Sequence, residues 1–459
     1  MVAWVIHLTT AIGGDSEAFV RLGSPLFHAV TGLVLFSVGR RLYGPWTGLL
    51  SLLIYQLMPG VAVSSGVIST DTLLLCFLSI ALLAYVDLPS AKRPMLTAAG
   101  LGAALGLGML SKYAAIYAVL GIALHLTLDR EARKAWSWRL AAVATGVFLI
   151  VIAPNIVWNA LHGFETVGHT ASNASFSSGL KFDVVEMLRL LAEQFGVFGL
   201  FFIVLIAAAV MAARRRLGRT EVMLLCWTAP PIVIVTIQAF LTRANANWAA
   251  AAYVGGAVLA AGLVMKWRPR WPVFTALGLQ AVLALVLIVC AVSPRTAESL
   301  GLANSFKRLK GWDATTQATI RRAQVEMADR GLTAIAVDDR FLFNSMAYYG
   351  RDFFSRPGAP PLKIWLSGDH PGNQAEAEAP LTRAFGERVL VVTAAEVKTD
   401  EDADAKMARR VGLISSDFAR AKTLEVSRAR LDRKRIRRGV LILGEDFRPA
   451  PRDPVKPLP

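Results

Sequence analysis

The 459-residue sequence predicts an α-helical polytopic membrane protein of about ten spans, with a small C-terminal α/β soluble domain. Three observations predict it. Hydrophobic residues make up 54% of the chain and charged residues 18%, whereas a soluble domain carries roughly 25% charged residues. Of the 49 Lys and Arg, 20 fall in residues 1–292 and 29 in the much shorter stretch 293–459. Long apolar runs recur through the first part and stop at Ser293. Together these exclude disorder, collagen, coiled coil and a disulfide scaffold. Cys76, Cys226 and Cys290 sit in apolar runs without metal-ligand spacing and read as small core residues.

A spanning helix needs about 20 mostly apolar residues. Candidate spans lie at about 25–39, 45–60, 71–87, 96–110, 113–128, 139–158, 195–213, 221–240, 247–265 and 272–293. The pair 96–110 and 113–128 is short and is split only by Ser111, Lys112 and Tyr113, the pattern of a bent hairpin within the bilayer.

Cationic loops stay in the cytoplasm. One alternating set carries Arg40, Arg41, Lys92, Arg93, Arg130, Arg133, Lys134, Arg139, Arg214, Arg215, Arg216, Arg219, Lys266, Arg268 and Arg270. The other set carries Lys112, Lys181, Arg189 and Arg243. The first set is therefore expected inside, and both the N-terminus and the C-terminal segment outside, in the periplasm of a Gram-negative inner membrane. Residues 1–24 then stand outside without a preceding segment to carry them across, so the pattern leads one to expect a further span and outer loop upstream of Met1. The expected organisation is 1–24 as the remainder of a first periplasmic loop, 25–293 as the transmembrane module, 294–445 as the soluble domain and 446–459 as a Pro-rich tail.

In the last third, TAIAVDD (333–339) and RVLVVTA (388–394) read as buried strands. KTLEV (422–426) and GVLILGEDF (439–447) read as a strand pair around RARLDRKRIRR. Helical patterns lie at about 313–330, 340–349 and 375–386. The basic run 428–438 fits either a contact with anionic lipid phosphates or a solvated hairpin.

Polar residues inside or beside apolar runs are the functional candidates. Asp71 opens the run STDTLLLCFLSIALLAY. It reads as a helix N-terminal acid or as a site carboxylate, and the two are compatible. Lys112, between two apolar stretches, calls for an anion such as a lipid phosphate, or for snorkelling to the interface. The segment APNIVWNALHGFETVGHTASNASF supplies Asn155, Trp158, Asn159 and His162, with Glu165 and His169 beyond. Polar substrate contacts suit it. A divalent metal on the histidines remains open, although the spacing matches no standard zinc site. TRANANWAAAAY adds Arg243, Asn247 and Trp248, an aromatic with amides suited to a sugar or head group, or to an aromatic belt and cap. GGDSEAFVRL adds Glu17 and Arg21.

The ordered set GDSEAFVRL, GRRLYG, SSGVISTDTLLL, GLGMLSKYA, APNIVWNALHGF and ANW resembles the bacterial C-type glycosyltransferases related to protein O-mannosyltransferases and to the lipid A aminoarabinose transferase. The likeness covers residues 1 to about 265 and extends only loosely to the soluble third. It implies transfer of a sugar from a polyprenyl-phosphate carrier to an acceptor outside the cytoplasmic membrane, with inversion at the anomeric carbon. It implies an Asp-Glu pair in the first outer loop, the Asp acting as general base. In the family that pair precedes a stretch like Pro-Pro-Met-Val-Ala-Trp, which Met1, Val2, Ala3 and Trp4 match in part, so the base is expected upstream of Met1. Asp71 then becomes a supporting carboxylate, Lys112 a cation near the carrier phosphate, and Glu17 and Arg21 the end of the first outer loop.

The expected activity is therefore that of a membrane glycosyltransferase. Its expected partners are a polyprenyl-phosphate sugar donor, a glycan, lipid or protein acceptor and membrane lipids, and no nucleic acid. Two alternatives fit the same residues: a lipid or polysaccharide transporter, and a non-catalytic paralogue that binds the carrier. Paired repeats with broken helices would favour transport, and the sequence contains none.

Overall fold

The computed structural model describes residues 1–161, 164, 180–268, 270–302, 311–368, 371–397, 400–430 and 436–450. The chain divides into two compact units, Met1–Ala291 and Val292–Pro459.

The first unit is all helical. Six helices are long and apolar enough to cross a membrane: Glu17–Tyr43, Thr70–Ser90, Pro94–Ser111, Trp138–Leu161, Arg219–Leu241 and Trp271–Val292. Val2–Gly13, Tyr113–Leu128, Phe202–Ala213 and Ala252–Trp267 are apolar but shorter. Two of the ten expected spans are broken. The run 45–60 forms the helix Pro45–Gln56 and the separate turn Pro59–Ser64, because Pro59 disfavours helix at the residue before it. The run 195–213 is interrupted at Gly199, whose φ of +80° only glycine adopts freely, and helix resumes at Phe202.

Ala252–Trp267 is the unit's innermost helix, with every residue from Ala252 to Val264 buried. Its Ala and Gly residues admit close neighbours, as small residues do between membrane helices. Trp138–Leu161 lies against Pro94–Ser111 through Gly102, where a Cβ would sit 2.1 Å from the Ala144 carbonyl oxygen. Any side chain at Gly102 would push the two helices apart.

The loops expected inside are joined to one another. Arg41 pairs with Asp87 at 2.6 Å. Tyr43 and Lys266 both donate to Glu221. Arg219 makes two 2.9 Å bonds to Asp129.

The second unit contains a five-stranded sheet of order β2-β1-β3-β5-β4. The strands are β1 (Ala334–Val337), β2 (Leu362–Ile364), β3 (Arg388–Val397), β4 (Phe418–Arg430) and β5 (Ile436–Phe447). β1 is parallel to β2 and β3, whereas β5 is antiparallel to β3 and β4. β1 and β3 bury both faces: Ala334, Ala336, Val389 and Val391 on one, Ile335, Val337, Leu390 and Val392 on the other. Such two-sided burial is why these strands read as continuous apolar runs.

Helices Trp312–Asp329 and Arg340–Tyr349 form where the pattern predicts. The helix expected over 375–386 is confined to Gln374–Glu378, and Pro380 follows in a bridge to Ile364. The hairpin is longer than KTLEV and GVLILGEDF. Within its basic run, Arg437 is not solvated: its side chain is 3% exposed and its guanidinium lies 3.7 Å over the Trp312 ring.

Candidate functional site

The site is built where three helical breaks meet. Asp71 stands in the first turn of the helix Thr70–Asp87, after an extended Ser69 whose side chain makes no capping bond. An acid here is favoured by the partial positive charge of the helix start. Lys112 is the residue at which the helix Pro94–Ser111 ends, with φ −161° and ψ 136°, before the short turn Tyr113–Ala115. Asn247 lies in the turn Ala246–Ala249, before the buried innermost helix begins.

These three side chains converge. The Lys112 ammonium donates to Asp71 Oδ1 at 2.6 Å, and the Asn247 amide donates to Asp71 Oδ2 at 3.1 Å. Each carboxylate oxygen thus holds one partner and keeps a lone pair. Asp71 and Lys112 are partly exposed, at 18% and 26%, so the pair faces an accessible surface rather than the core. Asp87, at the other end of the same helix, is bound to Arg41 of a loop expected inside.

A second set adjoins the first through the chain. Tyr113, next to Lys112, donates its hydroxyl to Asn155 Oδ1 at 3.0 Å. Asn159 donates to the Asn155 carbonyl at 2.9 Å and to its side-chain oxygen at 3.3 Å. The break at Lys112 is therefore tied to the end of the helix Trp138–Leu161. Trp158, on the same turn, is 37% exposed, as an interfacial anchor would be. His162, with Glu165 and His169, lies outside the described residues.

Arg243 is placed differently. With Lys181, Asp183, Glu186, Arg189 and Glu193 it lines a polar groove of about 420 Å³ whose lining includes Ala246, one residue before Asn247. Arg189 is paired with Glu186 and Glu193. Asp183 caps the helix Val184–Val197. Among the described residues, Lys181 and Arg243 have no ion-pair partner. Trp248 packs with Leu190, Val235, Ala239 and Ala249 and supports the turn that carries Asn247.

Glu17 and Arg21 pair with each other at 2.7 Å on the short helix Glu17–Arg21. They are not among the partners of Asp71 or Lys112. Among the described residues no group of three or more His, Cys, Asp and Glu is gathered as a metal-ligand set.

The sequence pattern missed Lys181, which stood only as an outer-loop charge, and Gln194, which is buried and accepts from the Tyr253 hydroxyl at 2.5 Å. It also missed His28. The available signal for His28 was one histidine inside an apolar run; its contact with Ser64, at the start of the hydroxyl-rich segment SSGVIST, is seen only in the structure.

The family described as dolichyl-phosphate-mannose-protein mannosyltransferase matches residues 1–158. The lipid A galacturonosyltransferase RgtD of Rhizobium johnstonii is 34% identical over 360 residues, covering 77% of this chain and 73% of the relative. Among solved structures, ArnT from Cupriavidus metallidurans in the apo state superposes with a TM-score of 0.56 at 16% identity, over 96% of this chain and 86% of that one. The same protein bound to undecaprenyl phosphate gives a TM-score of 0.56 at 14% identity, over 96% and 87%. Both likenesses are of fold.

Proposed function

The chain belongs to the family of membrane glycosyltransferases that includes the protein mannosyltransferases and the lipid A galacturonosyltransferase, and from that premise we propose that Asp71, Lys112 and Asn247 form the centre at which sugar transfer takes place. The donor is a polyprenyl-phosphate-linked sugar, and the acceptor is a lipid A-type glycolipid. The observation that carries this reading is the convergence of a carboxylate, an ammonium and an amide from three separate elements onto one accessible point.

In the reaction, the bond from the anomeric carbon to the carrier phosphate oxygen breaks. A bond to the acceptor oxygen forms on the opposite face, the bonding pair leaves on the carrier phosphate, and the acceptor hydroxyl proton passes to a carboxylate base and on to water, with Asp71 in support. The departing phosphate needs positive charge or donors. Lys112 serves it only in part, because Asp71 already neutralises it. Lys181 and Arg243, in the groove whose lining includes Ala246, next to Asn247, bring the uncommitted charge. Asp71 holds Lys112 and Asn247 in register, and its remaining lone pairs face the acceptor hydroxyl. Asn155, Asn159 and Trp158 shape the approach on the Lys112 side. Glu17 and Arg21 take a contributory place at the edge of the carrier site.

The active face is periplasmic, and so is the second unit. The charge difference between the two sets of loops supports both assignments. Single cysteines at Asn247 and at an exposed position of the second unit are expected to react with an impermeant thiol reagent in intact spheroplasts. Protection of both would reverse the orientation.

The test of activity uses purified protein in liposomes with undecaprenyl-phosphate-linked galacturonate and lipid A. The expected result is glycosylated lipid A detected by mass, lost in Asp71→Asn and Lys112→Ala while carrier binding persists. Movement of the carrier across the bilayer without product would mean a transporter. Binding with neither would mean a carrier-binding protein.

A further inference from the structure

The helix that carries Asp71 starts without a side-chain cap, yet its first turn must hold a carboxylate to within fractions of an ångström. What holds it is a buried knot of hydroxyls around one imidazole. His28, on the helix Gly23–Tyr43, is 1% exposed. Its Nδ1 lies 2.8 Å from the Tyr55 hydroxyl and its Nε2 lies 2.9 Å from Ser64 Oγ. Thr72, the residue after Asp71, places its hydroxyl 3.0 Å from Ser24 Oγ, 3.3 Å from Ser64 Oγ and 3.5 Å from His28 Nε2. Ser24 also donates to the Ser64 carbonyl at 2.7 Å. Ser24, Tyr55 and Thr72 are fully buried.

We infer that His28 is a positioning residue for the transfer reaction, acting through Thr72 to fix the direction in which Asp71 points. Successive helical residues are about 100° apart around the axis. Locking Thr72 into the knot therefore fixes the bearing of Asp71 away from it, toward Lys112 and Asn247. The imidazole suits this task because both ring nitrogens meet hydroxyls, which either donate or accept. The knot is satisfied in either neutral tautomer, and no charge is placed in the interior. Four elements, Gly23–Tyr43, Pro45–Gln56, Pro59–Ser64 and Thr70–Asp87, are joined at one point, and the acid stands one residue from it. Misplacement of a reacting group by about 1 Å costs up to about 100-fold in rate.

This inference rests on the reading of Asp71 as part of the transfer centre, and the experiment separates the two. Turnover and KM for undecaprenyl-phosphate-linked galacturonate are measured per folded molecule in liposomes for His28→Ala, Thr72→Val, Thr72→Ser and Asp71→Asn, and for the double variant His28→Ala with Asp71→Asn. Ser51→Ala, which removes a buried hydroxyl outside the knot, serves as the packing control. His28→Ala and Thr72→Val are expected to lower kcat by about 10- to 100-fold with KM changed less than about 3-fold. Thr72→Ser should restore most of it, and Ser51→Ala should leave kcat unchanged. In the Asp71→Asn background, His28→Ala should cost less than about 2-fold, because the group it positions is already gone. Equal cost in both backgrounds would overturn the positioning role while leaving Asp71 in place. Full activity of Asp71→Asn would overturn the reading of the centre, and with it any action of His28 through that residue.

Discussion

Both ends of the helical unit carry a carboxylate held by a cation, and the two arrangements do different work. At one end, Asp129 receives two bonds from Arg219 and two more from the backbone N–H groups of Glu131 and Ala132. Four donors are gathered on it, three at Oδ1 and one at Oδ2. The Arg219 bonds, with the two backbone bonds, hold its carboxyl at about 2. At the other end, Asp71 receives one bond on each oxygen, from Lys112 and Asn247. The first is a clamp, joining a loop to the start of a distant helix. The second has room for another group. A carboxylate in a membrane protein is thus marked as structural or chemical by how much of its capacity its neighbours use, more than by whether it is paired.

The largest expected contrast tests that distinction directly. Asp71→Asn should lower turnover about 100-fold with little change in melting temperature. Asp129→Asn should hold turnover per folded molecule within about 3-fold and destabilise the protein by about 1–2 kcal/mol, the range for loss of a helix cap. Equal loss of turnover in both would erase the comparison.

The cations provide the next contrast. Lys112→Ala should cost about 10- to 100-fold in kcat, the range for removing one electrostatic donor at a transition state, with partial rescue by Lys112→Arg. Lys266→Ala, at the end opposite Asp71, strips the buried Glu221 of its cation and should lower the melting temperature while folded enzyme keeps its turnover. Smaller still, Lys181→Ala and Arg243→Ala should each raise KM for the carrier a few-fold, and together about 10-fold, because they line the groove without touching Asp71.

Titration gives the smallest effects, with opposite signs in the two units. Asp129 has its folded pKa below the ordinary value of 3.8, so its contribution is present above about pH 4 and is lost as pH falls toward 2. The melting-temperature gap between wild type and Asp129→Asn should close over that window. Asp338 in the second unit has a fully buried side chain paired with Arg410, and burial pushes its carboxyl up to about 6. A raised folded pKa means its contribution is present below about pH 4 and is lost as pH rises through 6. Hydrogen exchange of β1 should therefore quicken from pH 4 to 7 beyond the intrinsic trend in wild type and not in Asp338→Asn.

Much of this was legible from residues alone. Asp71, Lys112 and Asn247 each stood out as a polar group at the edge of an apolar run, because hydropathy makes such groups conspicuous. Their meeting was not legible, since 41 residues separate Lys112 from Asp71 and 176 separate Asn247 from Asp71. Gly199 and Pro59 broke expected spans because mean hydropathy is blind to single backbone breakers. In the second unit, β1 and β3 were visible as continuous apolar runs, while β2 has only three residues. The helix Asp400–Ser416 was concealed by its acidic start, DEDAD, which reads as loop. His28 escaped because one buried histidine in an apolar helix resembles ordinary core until its partners are known.

Trp138–Leu161 has a consequence outside the protein. It is 24 residues long, or roughly 36 Å, and only 11% of its most apolar stretch is buried. Apart from the seam at Gly102 and Gly106, its apolar side chains are largely uncovered among the described residues, as a lipid-facing helix requires. Bilayers thinner than its apolar length are met by tilt, and tilt swings the end that carries Asn155, the partner of Tyr113. Lipid chain length is thus expected to act on the geometry around Lys112, and turnover measured in bilayers of different thickness checks it.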